Sequence, residues 1–171
     1  MILEYVVKNL SLYKTVRQVL KIEFNMSNRL ITKLKKNKCI LLNGNETYLD
    51  KMLSINDVIS CDLNCEESSD NIIPTKMDLN IIYEDDSLLI INKAPNIAVH
   101  PSILHYENSL ANGVKYYFES IGLNKKIRPV NRLDKDTSGL VIFAKNEYIQ
   151  ELFRYQWQSY ELHFQKKFEF H

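Results

Sequence analysis

The sequence predicts an α+β fold, and three observations carry the prediction. Apolar residues recur at i, i+3, i+4 spacing in both halves of the chain, the signature of amphipathic helices. Short apolar runs of strand length alternate with them, bounded by turn residues such as Asn43-Gly44 and Thr137-Ser138-Gly139. The charge also changes along the chain: residues 1–60 hold ten Lys/Arg against five Asp/Glu, residues 61–90 one against eight, and residues 91–171 eleven against eight. The 171 residues therefore divide into a basic head (1–63), an acidic connector (64–76) and a mildly basic body (77–171). With 45% apolar and 25% charged residues, the composition is that of a globular chain.

In the head, Val16, Val19 and Leu20 predict a helix over 15–22. Ser27 or Asn28 can cap a second helix whose apolar face is Leu30, Ile31 and Leu34. Arg29, Lys33, Lys35, Lys36 and Lys38 then fall largely on its exposed side. The run Ile40-Leu41-Leu42 leads into Asn43-Gly44, a strong tight-turn signal, and residues 57–60 can return as a strand. A lysine cluster of this kind is often only a solvated helix face. It is also what a nucleic-acid surface needs, because cations on one face displace counterions from phosphates. The connector, residues 66–71, reads as a solvated linker.

In the body, residues 79–83 and 88–92 read as a strand pair joined by an acidic turn, ended by Lys93-Ala94-Pro95. Val99-His100-Pro101 is a loop. Leu110, Val114, Tyr117 and Phe118 predict a helix over 109–120, residues 140–144 a strand, and Asn146 a cap for a last helix bearing Ile149, Leu152, Phe153 and Trp157.

Some function classes recede. Cys39, Cys61 and Cys65 are odd in number without a Cys-x-x-Cys pair, and read as reduced thiols, not as a disulfide frame or zinc site. His100, His105, His163 and His171 lack metal-ligand spacing, and four glycines make no phosphate loop. The chain shows no leader and no apolar run of membrane length, so a cytoplasmic protein without membrane partner, metal or cofactor is expected.

The most informative stretch is Arg132-Leu133-Asp134-Lys135-Asp136-Thr137-Ser138-Gly139, turn chemistry leading at once into the apolar run 140–144. It places Asp134 in a tight loop at a strand mouth, where a rigid scaffold commonly presents catalytic groups. The plain alternative is a surface ion pair between Arg132 and Asp134. The octet, with Pro129-Val130 before it, resembles the signature of the RluA-type pseudouridine synthases. The blocks IIYEDDSLLIINKAPNIAVHPS, RPVNRLDKDTSGLVIFAKN and QELFRYQWQ resemble successive parts of their catalytic domain, in the right order. The head's order of helix, basic helix, ILLNG hairpin and closing strand is similar to the ribosomal-S-four-like RNA-binding module that often precedes such domains.

The resemblance implies a small helix-helix-hairpin RNA-binding domain followed by the first part of a mixed-sheet pseudouridine synthase domain. It implies isomerisation of specific uridines in structured ribosomal or transfer RNA, without cofactor or metal. Asp134 would be the nucleophile, kept charged yet stripped of water by burial near a positive partner. Arg132 would hold the flipped nucleotide, Thr137, Ser138 and Gly139 would shape the loop, and His100 would lie near the site. Asn131 stands where the family usually has His. Arg29, Lys33, Lys35 and Lys36 would meet RNA. From residue 159 the resemblance ends. The tail is read as shortened or shifted, and the stacking Tyr and the basic partner of Asp134 are expected to be missing. Two readings follow: an RNA pseudouridine synthase, or a truncated remnant that binds RNA without converting it.

Overall fold

The computed structural model describes residues 1–64, 71–102 and 106–156. The chain forms two compact units, Met1–Glu66 and Glu67–His171.

In the first unit, β1 (Ile2–Val6), α1 (Val16–Ile22), α2 (Asn28–Lys36), β2 (Ile40–Leu42), β3 (Asn45–Glu46) and β4 (Val58–Asp62) follow in order. The sheet runs β1-β4-β2-β3, and every pair in it is antiparallel. Helix α1 starts where Gln18 Oε1 accepts the backbone N–H groups of Lys14 (2.7 Å) and Thr15 (3.2 Å). Helix α2 starts where Ser27 Oγ accepts the N–H of Leu30 at 3.1 Å. Each cap satisfies donors that a helix start leaves without intrahelical partners. Val16, Val19, Leu20, Leu30, Ile31 and Leu34 are all buried, as their spacing predicts, together with Ile40, Ile59 and Cys61 of the sheet. Asn43 and Gly44 take φ of 51° and 78°, the positive values a two-residue hairpin turn requires. Strand β1 was not foreseen. Its pattern Ile-Leu-Glu-Tyr-Val leaves Ile2 61% and Val6 42% exposed, so polarity does not alternate with burial. Five register pairs with β4 hold it in place.

Cys61 is a free, buried thiol, and burial pushes it up to about 12. Cys39 is disulfide-bonded, which corrects the expectation of three reduced thiols; its partner lies outside the described residues. An odd cysteine count excludes complete pairing, not a single pair.

The second unit is built on β5 (Ile81–Glu84), β6 (Leu88–Lys93), α3 (Leu110–Ser120) and β7 (Gly139–Ala144), with a further helix, α4, over residues 147–156. The sheet order is β5-β6-β7, again antiparallel throughout. Among the described residues no parallel pair accompanies them, where a mixed sheet was expected. The reason is connectivity: β5 and β6 are joined by a tight turn, which only antiparallel strands allow. In that turn Asp85 Oδ1 accepts from the N–H groups of Ser87 and Leu88, both at 2.7 Å. Helix α3, capped by Ser109, packs Leu110, Val114 and Phe118 with Leu89, Ile91, Val141 and Phe143 in one core. Helix α4 is capped as predicted: Asn146 Oδ1 accepts from Ile149 N at 2.9 Å. Of its predicted apolar face, Trp157 lies outside the described residues.

Strands β6 and β7 each lead to a buried lysine. Leu89, Ile91 and Lys93 share the core face of β6 by their period of two, and so do Val141, Phe143 and Lys145 along β7. Because β6 and β7 run antiparallel, the two lysines sit at opposite ends of the sheet. Lys145 Nζ donates to Glu84 Oε1 at 2.8 Å, and the Tyr117 hydroxyl donates to Glu84 Oε2 at 2.5 Å. Partial burial raises the pKa of Glu84, but the bonds from Lys145 and Tyr117 outweigh it and leave the carboxyl below its usual range.

Candidate active site

The octet beginning at Arg132 occupies the tip of a hairpin. Residues 128–131 run antiparallel to β7: Ala144 N donates to Arg128 O and Val130 N to Ile142 O, each at 2.8 Å, and Pro129 bridges Phe143. The side chain of Asn131 extends this pairing past the last backbone bond. Its Oδ1 accepts the N–H of Ile142 and its Nδ2 donates to Leu140 O, both at 2.9 Å. A side-chain amide carries one acceptor and two donors, so it can imitate a peptide group here. Gln150 of α4 adds a bond to Pro129 O at 3.1 Å. Both arms are therefore tied down before the loop begins.

Within the loop, Leu133 is half-buried and packs against the core, while Arg132 and Asp134 on either side of it are exposed. An apolar residue between two charged ones thus turns both charges to solvent. Thr137 N donates to Asp134 O at 3.1 Å, closing a turn. Thr137 and Ser138 are exposed, and Gly139 re-enters the sheet at φ +140°. That value belongs to glycine; a side chain there would be strained and would meet Leu133 Cδ1 at 3.4 Å. Asp134 is exposed among the described residues, where a buried carboxylate was expected.

In the sequence Lys93 marks only the end of a strand; in the structure it plays a larger part. It is 1% exposed, and its ammonium donates to the carbonyls of Ala94 (3.0 Å), Ile97 (2.8 Å) and Lys135 (2.9 Å). Those three bonds use all the donors a lysine has. They stitch the turn after β6 to the Asp134 loop, 42 residues away in sequence. Burial pulls the Lys93 pKa below the usual lysine range, and the carboxylates of Asp136 and Asp134 act in the other direction. The signal was available: parity with Leu89 and Ile91 puts Lys93 on the buried face. His100 is half-buried and lies three residues beyond Ile97, in the loop that Lys93 holds.

The remaining candidates sit in the first unit. Arg29, Lys33 and Lys36 fall at i, i+4, i+7 on α2, on the side away from Leu30, Ile31 and Leu34. Arg29 and Lys36 are exposed and Lys33 half-buried. Half-buried Lys35 places its Nζ 5.8 Å from the centroid of the Tyr48 ring. Lys38 pairs with Glu46 at 2.9 Å. Among the described residues, no group of three or more His, Cys, Asp or Glu could hold a metal, and no helix is long and apolar enough to cross a membrane.

Residues 87–167 match the sequence profile of the family described as RNA pseudouridylate synthase. That match runs beyond Gln158, past the point where the resemblance of the motifs is expected to end. The chain is 50% identical over 78 residues to ribosomal large subunit pseudouridine synthase D of Blochmanniella floridana, covering 45% of this chain and 24% of that one. It is 31% identical over 131 residues to the uncharacterized RNA pseudouridine synthase YjbO of Bacillus subtilis, covering 76% and 46%. It is 35% identical over 128 residues to YhcT, a second such protein from that organism, covering 75% and 42%. The chain spans less than half the length of these curated relatives. The hairpin-borne Arg-Leu-Asp motif lies inside the matching segment, and through that segment the second unit is similar to the RluA-type pseudouridine synthases.

Proposed function

We propose that this chain is an RNA pseudouridine synthase that isomerises uridine within structured RNA, with Asp134 as its nucleophile. The observation that carries the reading is the placement of Asp134 at a hairpin tip whose arms and floor are fixed by Asn131, Gln150 and Lys93. Pseudouridine formation breaks the bond from ribose C1′ to uracil N1, turns the base, joins C1′ to C5, releases the C5 proton to solvent and leaves N1 to take one up, so the product is an isomer of the substrate. No electrons are gained or lost overall. The protein must supply a positioned carboxylate, a hold on the extruded nucleotide, and shielding from water.

Asp134 supplies the first of these. Arg132, turned outward beside it, contacts the flipped nucleotide or its phosphate. Thr137, Ser138 and Gly139 set the loop's path, and His100 borders it. Lys93 holds the loop from below and contributes positive charge near the carboxylate. The first unit acts as a ribosomal-S-four-like RNA-binding domain through Arg29, Lys33, Lys35 and Lys36. The names of the ribosomal relatives make large-subunit ribosomal RNA the first substrate to try, which would place the work in the cytoplasm.

The test is tritium release from RNA labelled at uracil C5. Full chain should release label in proportion to pseudouridine formed, and Asp134→Asn should abolish release while leaving RNA binding intact. Equal release from both proteins would overturn the assignment of Asp134.

A further inference from the structure

Tyr48 stands out among the large apolar side chains as the most exposed of those described, at 82%. Folding gains little from a ring left in water, yet its backbone is firmly set. Thr47 before it is buried, and the stretch after it pairs with the approach to α1. Arg17 N donates to Leu49 O (2.8 Å), Val16 N to Lys51 O (3.3 Å), and Leu53 N to Lys14 O (3.0 Å). Lys51 N closes a turn on Tyr48 O at 3.2 Å. The loop thus presents an aromatic face from a fixed position, and the ammonium beside it, 5.8 Å from the ring centroid, belongs to Lys35 of the basic helix.

We propose that Tyr48 is a stacking platform for an unpaired RNA base, beside the phosphate-facing cations of α2. The inference rests on the reading of α2 as an RNA surface and adds to it a preference. Lysines alone attract any phosphate backbone, whereas an open ring accepts only a base that is free of its own stack. A base on Tyr48 and its phosphate on Lys35 would be the two halves of one nucleotide. A rigid aromatic pays little ordering entropy on binding, which suits this position.

The experiment titrates the full chain with a short RNA duplex carrying one bulged adenosine, and with the same duplex fully paired, across a range of salt. The wild-type chain should prefer the bulged RNA. Tyr48→Ala should weaken binding to it roughly 5- to 150-fold, down toward the paired duplex. Tyr48→Phe and Tyr48→Trp should keep the preference. The slope of log affinity against log salt should not change, because no phosphate contact is removed. Unaltered binding by Tyr48→Ala, or an equal loss on both RNAs, overturns the proposal. Replacing Lys33, Lys35 and Lys36 by Gln separates the two ideas. A flattened slope with a neutral Tyr48→Ala defeats stacking alone, while an unchanged slope defeats the α2 surface itself. If a protein is the true partner of Tyr48, neither RNA will respond to its loss.

Discussion

The cations of α2 and the cations that end β6 and β7 use the same residue types under opposite conditions. On α2, Arg29 and Lys36 are exposed, on a helix whose other face is apolar. In the second unit, Lys93 and Lys145 are 1% and 8% exposed, and their bonds go to protein carbonyls and one carboxylate. A solvated lysine can be lost at little structural cost and offers its charge to a partner. A buried one has replaced its hydration with fixed oxygens, so its loss leaves those oxygens stranded. The difference teaches that charge count does not reveal what a lysine does; its partners do.

The largest effect should come from Lys93→Met. It leaves three carbonyls without their donor and should lower stability by on the order of 3 kcal/mol, read from urea midpoints. Uridine conversion should fall with it. A neutral outcome would mean water replaces the ammonium, and the contrast between the two lysine sets would collapse.

Asn131→Ala should come next, at about 1–3 kcal/mol for two lost bonds, with faster amide exchange at Ile142 as its specific sign. Gly139→Ala should cost about 1–2 kcal/mol through strain at φ +140°. Compensation by a shift of the loop would show as lost conversion without lost stability.

The Lys145 end can be sharpened by pH. Glu84 has a folded pKa below its unfolded value, so its contribution is complete above the ordinary carboxylate range, about 4.3. That contribution should be lost as pH falls from there through the lowered folded value. Chemical denaturation at stepped pH reads this directly, and Lys145→Met should blunt the dependence.

The smallest stability effect belongs to α2. Changing Lys33, Lys35 and Lys36 to Gln should move stability by no more than about 0.5 kcal/mol. The same change should lower the salt slope of RNA binding by about 2–3 units. A large stability loss here would break the comparison from the other side.

Elements with a period that matches their burial were legible in sequence. Helix α2 declared its buried face through Leu30, Ile31 and Leu34 and its start through Ser27, and the Asn43-Gly44 turn needed only local chemistry. The loop of Arg132 to Gly139 was legible as a turn entering a strand. What escaped depends on partners distant in sequence. Strand β1 has apolar residues on both faces and exists through its pairing with β4. Lys93 breaks the apolar pattern of β6, so it read as an end, and the carbonyl of Lys135 that gives it a purpose is 42 residues on. The peptide-like pairing of Asn131 with β7 was equally out of sight, since a side-chain amide does not announce which backbone it will join.

The hairpin around Asp134 also has a history in time. Its two arms, 128–131 and β7, are joined by a short loop, so they can meet early, on the microsecond scale of hairpin closure. Lys93 arrives from much farther along the chain, when β6 docks beside β7, and reaches Lys135 only then. The loop is therefore expected to take its path first and to be locked afterwards. Species caught between those steps would have a paired hairpin with an unclamped tip, and pulse-labelled exchange would show Val130 and Ala144 protected before those amides of β6 that pair with β7.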